Sequence, residues 1–145
     1  MPAMTTTTTL RPRTGLMPRD VESLLRRSEA HVVAADLASD PAERFVHGHL
    51  AALRAGAALL AGTAPVRPHR GRPRSVWELV AQVAPELADD AARFAQGAAV
   101  RAAFDAGREP EVSAERADRT VAAAEEFQDR VRRLLEDRGA LDRAS

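Results

Sequence analysis

The sequence has no cysteine, no lysine and no tyrosine, and its aromatic residues are limited to 4 Phe and 1 Trp. Each gap excludes something. Without Cys there is no disulfide, no thiolate zinc site and no cysteine nucleophile. With so few aromatics the core must be thin, and 31 Ala are available to build it. Ala has the highest helix propensity, and its small side chain lets helices approach closely. With Lys absent, all 21 basic residues are Arg. Arg and Ala both have GC-rich codons, so arginine abundance alone does not signal a nucleic-acid partner. The chain also lacks any segment of roughly 18 uninterrupted apolar residues, the length that a membrane-spanning helix needs.

What is present suits one domain, since 145 residues falls within the usual range. The formal net charge is zero but unevenly placed. Residues 1–74 carry 11 Arg against 6 acids, a balance of +5, and residues 75–145 carry 10 Arg against 15 acids, a balance of −5. Such asymmetry suits head-to-tail or dimeric contacts, as well as an ordinary solvated surface. The opening MPAMTTTTTLRPRTGLMPR is rich in Thr and Arg, free of acids and too polar for a signal peptide or anchor. It reads as a disordered tail over residues 1–18, with Met4 and Met17 as alternative starts. The expectation is a soluble, cytoplasmic protein with a helical bundle over residues 19–138 and a short tail at 139–145.

Four helical segments follow the tail, and no strand pattern is present. The first runs from Asp20 to Ala38, with Val21, Leu24, Leu25, Val32 and Leu37 at helical spacing. The second opens on Asp40 as N-cap, Pro41 at the first position and Glu43 completing a capping box. Its apolar stripe is Val46, Leu50, Leu53, Ala57 and Leu60, and Gly62 stops it. The stretch Thr63 to Arg74 holds three prolines, so no helix crosses it. Ser75 and Glu78 form a second capping box before Val76 and Trp77, and Pro85 ends or kinks that helix near Ala84. The pattern resumes through Leu87, Ala91, Phe94 and Ala98 towards Gly107. Ser113 then caps a last helix carrying Val121, Ala124, Phe127, Val131 and Leu134. The fold class expected is all-α, a four- to five-helix up-down antiparallel bundle.

Candidate sites centre on DPAERFVHGHLAALR, residues 40–54. His47 and His49 are two apart, about 200° around a helix, so one cation cannot take both. No histidine pair has the three- or four-residue spacing of helical zinc ligands, and no metal is expected. His49 aligns with the apolar stripe and reads as a neutral core histidine. His47 lies with Arg44 and Arg54 on a polar face suited to gripping phosphate, because guanidinium is a planar fork of donors. The most basic stretch carries Arg67, Arg70, Arg72 and Arg74 with no acid. Its Arg70-Gly71-Arg72-Pro73 resembles an AT-hook core, whose extended arginines enter a narrow minor groove; it reads equally as a solvated basic loop. No serine sits in a nucleophile elbow and no glycine-rich phosphate loop follows a strand, so no cofactor is expected.

The run DPAERFVHGHLAALRAGAALLAG, followed by a basic loop, RPRSVWELVAQVAPELADDAARFAQGA and a Ser-capped final helix, resembles the small HEPN-domain proteins of high-GC actinobacteria. The resemblance covers nearly the whole chain after the tail. It implies a helical up-down bundle, a homodimer, and one of two functions. The leading one is a non-catalytic module that binds a nucleotide, RNA, DNA or a protein partner through Arg44, His47, Arg54, Arg67, Arg70, Arg72 and Arg74. The alternative is a metal-independent endoribonuclease using an Arg-x4-6-His motif across a dimer interface. Arg44-x4-His49 has that spacing, as does Arg26-x4-His31. In the alternative, Arg44 would stabilise the pentavalent phosphate and His49 would act as acid or base. A regular helix sets Arg44 and His49 about 140° apart, and the last helix holds no histidine, which favours the leading reading.

Overall fold

The computed structural model describes residues 18–63 and 74–139. Apart from Pro18 and Gly139, the expected tails lie outside them, as does the stretch containing Arg67, Arg70 and Arg72. The described residues form α1 (Pro18–Leu37), α2 (Pro41–Ala61), α3 (Val76–Val83), a 3-10 turn at Pro85–Leu87, α4 (Ala88–Gln96), α5 (Ala98–Asp105) and α6 (Ala114–Asp137). No strand occurs among them, and none of their helices is long and apolar enough to cross a membrane.

The helix starts follow from local chemistry. The Asp40 carboxylate accepts from the Glu43 amide at 3.2 Å, with Pro41 in the first turn. That cap is one-sided, whereas Ser75 and Glu78 complete a reciprocal box: Ser75 Oγ accepts from the Glu78 amide at 3.1 Å, and Glu78 Oε1 accepts from the Ser75 amide at 2.9 Å. Ser113 Oγ accepts from the Arg116 amide at 3.0 Å. Each oxygen satisfies an amide that the first turn leaves without a helical partner. Pro85 ends α3 at Val83, and the chain passes through the 3-10 turn into α4. A further interruption escaped the hydrophobic pattern, which runs unbroken from Leu87 to Ala98: Gly97 separates α4 from α5.

Contact registers fix the topology. Ser28 meets Ala51 and His31 meets His47, so α1 runs against α2. Arg44 pairs with Asp118, and a Cβ at Gly48 would meet Val121, so α2 and α6 run in the same direction. Gly56 faces Trp77 while Gly97 faces Phe45, so the path from α3 to α4 returns along α2 in the opposite sense. The order is up-down-up-down, with α2 contacting α1, α3, α5 and α6.

This central position decides which residues of α2 are buried. Only Val46 of the expected stripe is fully buried; Leu50, Leu53, Ala57 and Leu60 are half-buried shoulders. The buried surface is Phe45, His49, Ala51, Ala52, Ala55, Ala58 and Leu59. Periodicity weighted by side-chain size favours leucines, but a helix packed on several sides puts its smallest residues at the closest approaches. Leu37, which keeps the helical spacing of the apolar residues of α1, is 81% exposed at the end of that helix. Leu135 is fully buried in α6, and Leu134 only half-buried. An aromatic cluster fills the centre, with Trp77–Phe94, Phe94–Phe127 and Trp77–Phe127 centroids 5.2, 5.3 and 5.9 Å apart. Buried Ser28 joins three helices by donating to the Ala51 carbonyl at 2.6 Å and accepting from Gln128 Nε2.

Candidate anion-binding cleft

A cleft of about 320 Å³ opens between the first half of α2, the junction of α4 and α5, and the first half of α6. This is at the lower end of the usual size for small-molecule sites, roughly 300–1,000 Å³. Its apolar walls are Phe45 and Phe94. Its polar rim is Arg93 from α4 with Arg116, Arg119 and Thr120 from α6. The last three occupy positions i, i+3 and i+4, which share one helix face. No carboxylate lines the cleft.

The Arg116 guanidinium lies over the Phe45 ring, 4.9 Å from its centroid, so its charge is held against the apolar wall without being neutralised. Two nearby carboxylates are engaged elsewhere. Asp118, beside these arginines on α6, pairs with Arg44 at 2.7 Å, and Asp90 pairs with Arg130. Three guanidinium groups therefore surround a concave surface whose lining supplies no counter-ion, an arrangement that attracts anions and offers them forked donors.

His49 forms part of the floor. It is 2% exposed, and its Nε2–H donates to the Phe94 carbonyl at 3.0 Å. With the proton on Nε2, Nδ1 is a buried acceptor with no partner among the described residues. Burial pushes the His49 pKa below its ordinary value and Arg101 acts in the same direction, while the Phe94 bond and Asp105 oppose the shift. The ring is neutral at pH 7. Gly97 makes this floor possible, because a Cβ there would stand 2.9 Å from Phe45 Cζ and 3.1 Å from His49 Cδ2.

A family model for SAV_6107-like HEPN domains matches residues 35–132. The chain belongs to this HEPN family. No curated protein and no solved structure matches it.

Within the HEPN domain, the residues singled out from sequence do not gather in the cleft. Arg44 is in its ion pair with Asp118, and His49 alone of the Arg44–His49 pair reaches the lining. His47 lies on the other flank of α2 against His31 of α1, with their Nδ1 atoms 3.3 Å apart, and Arg54 is near enough to bear on His31. Arg74 bonds to Gln82. Arg93, Arg116 and Arg119 were missed. The Arg-x-x-Arg-Thr spacing at 116–120 was readable as one helical face, but among 21 arginines nothing local distinguished it. Arg93 joins that face only through the packing of α4 beside α6.

Proposed function

We propose that this HEPN domain is a non-catalytic module that binds a phosphate-bearing ligand, a nucleotide or single-stranded RNA, in the cleft walled by Phe45 and Phe94. One observation carries the reading: Arg93, Arg116 and Arg119 converge on a concave surface that no carboxylate lines. Phe45 and Phe94 are 3% and 2% exposed, so they offer a base only a narrow apolar edge, and the arginines supply charge-assisted bonds for phosphate oxygens. The charges of Arg67, Arg70 and Arg72 add to the general attraction of the chain for a polyanion. A homodimer belongs to the same proposal through family membership, and native mass tests it.

The ribonuclease alternative assigns chemistry to Arg44 and His49. Arg44 is committed to Asp118, and the His49 Nε2–H is committed to the Phe94 carbonyl. Arg44 would have to turn from Asp118, and without giving up the Phe94 bond His49 offers only its buried Nδ1. This is why binding without cleavage is the preferred function.

The test is fluorescence anisotropy with a labelled single-stranded RNA in EDTA, with an unlabelled nucleoside triphosphate as competitor. Arg116→Ala/Arg119→Ala is expected to weaken binding about tenfold or more and to flatten its salt dependence. Arg26→Ala/Arg27→Ala, on the exposed side of α1, should change neither. Equal losses in the two double variants, or no binding by the parent, would overturn the cleft assignment. Cleavage of the RNA in EDTA, abolished by both Arg44→Ala and His49→Ala, would instead establish the ribonuclease.

A further inference from the structure

The helix splits His47 from His49, yet the fold gives His47 another histidine. His31 crosses from α1, sixteen residues away in sequence, and the two Nδ1 atoms stand 3.3 Å apart with ring centroids 5.5 Å apart. Both rings are half-buried and so remain reachable from solvent. In the observed state one Nδ1–H donates to the other Nδ1.

This separation matches the bite of a metal site. Two imidazole nitrogens each about 2.05 Å from a tetrahedral zinc ion stand about 3.3 Å apart. We propose that His31 and His47 form a two-histidine site for a divalent late transition metal of the zinc or nickel class, with water in the remaining positions. Imidazole selects these ions over calcium or magnesium, which prefer oxygen ligands. In such a complex the ring centroids lie about 5.2 Å apart, so the rings need only a small turn for both lone pairs to converge. The proton shared between the Nδ1 atoms moves to an Nε2, so that both rings become Nε2–H tautomers and both Nδ1 lone pairs face the metal.

The surroundings set both availability and affinity. Burial lowers the His31 pKa first, then His47 and Arg54 lower it further. Arg54 also repels an incoming cation. Among the described residues no group of three or more His, Asp or Glu side chains converges, so His31 and His47 are the whole contribution of those residues. The site is accordingly open and of modest affinity, and it ties α1 to α2 on the flank away from the cleft.

Calorimetric titration of Zn²⁺, and separately Ni²⁺, into the untagged full chain at pH 7.5 tests the site. One ion per chain is expected. Affinity should fall about tenfold or more in His31→Gln and in His47→Gln, hold steady in His69→Gln, and rise in Arg54→Gln, which removes the repelling charge. Zinc should raise the unfolding temperature of the parent but not that of the two ligand variants. The gain in Arg54→Gln is a readout that impaired folding does not produce. No saturable binding by the parent, or binding that persists unaltered in both His31→Gln and His47→Gln, would overturn the proposal and leave the pair as a hydrogen bond alone.

Discussion

His47 and His49 occupy opposite flanks of α2, and the contrast shows how context alone divides two identical side chains. His49 faces inward, 2% exposed, stacked beside Phe45 and edge-on to Trp77, with its Nε2–H tied to a backbone carbonyl of α4. His47 faces the α1 seam, half-buried, and meets another histidine instead of a carbonyl. The inner flank has aromatic packing and a long-range bond to hold its ring. The outer flank has a polar contact that water or an ion can replace. The first is part of the fold's interior, and the second is chemically available.

The largest way to break this contrast is to remove the packing behind the inner flank. Phe127 has no exposed surface and touches both Trp77 and Phe94. Phe127→Ala should lower stability by about 3–5 kcal/mol in urea unfolding, mostly through the cavity left behind.

A second test acts on the histidines themselves. His49→Ala should lose about 2–4 kcal/mol, since it removes a buried ring and its bond to the Phe94 carbonyl, which keeps the Gly97 amide as donor. His47→Ala should lose less than about 1 kcal/mol. Similar losses would show that the two flanks are energetically alike. Gly97→Ala sharpens the same point by crowding Phe45 and His49 directly; overpacking of that kind costs about 1–3 kcal/mol, and ligand binding in the cleft should weaken with it.

The smallest effect is the dependence on pH. The folded-state pKa values of His49 and His31 are both lowered from 6.5. Above that value the histidines are neutral whether the chain is folded or not. As the pH falls below it, the unfolded chain takes up protons first, so stability declines. The slope from His49 is at most about 1.4 kcal/mol per pH unit. His31, more exposed, adds in the same direction. Urea midpoints measured from pH 7.5 down to 5.5 should therefore fall, and less steeply in His49→Gln.

Legibility in the sequence followed the range of the interactions. Asp40, Ser75 and Ser113 announce helix starts because a cap bonds to an amide three residues on, and Pro85 announces a stop because its ring cannot enter a helix interior. Those boundaries, the all-α class and the HEPN family were readable. The buried face of α2 was misread from its leucines, since the neighbours on every side of that helix decide which residues lie closest. The need for glycine at position 97 was invisible because the side chains that crowd it, Phe45 and His49, come from about fifty residues earlier in the chain.

The same division holds for the sites. By itself the sequence determined that His47 and His49 could not share an ion, since a helix turns them about 200° apart, and that no cysteine chemistry was available. Only the tertiary structure decided that Arg93 would stand with Arg116 and Arg119 around one cleft, that Asp118 would turn to Arg44, and that His31 would bring its Nδ1 to His47. Helical spacing is a local property of the backbone. Which face meets which depends on how closely small residues such as Ala51, Ala52 and Ala55 let whole helices approach.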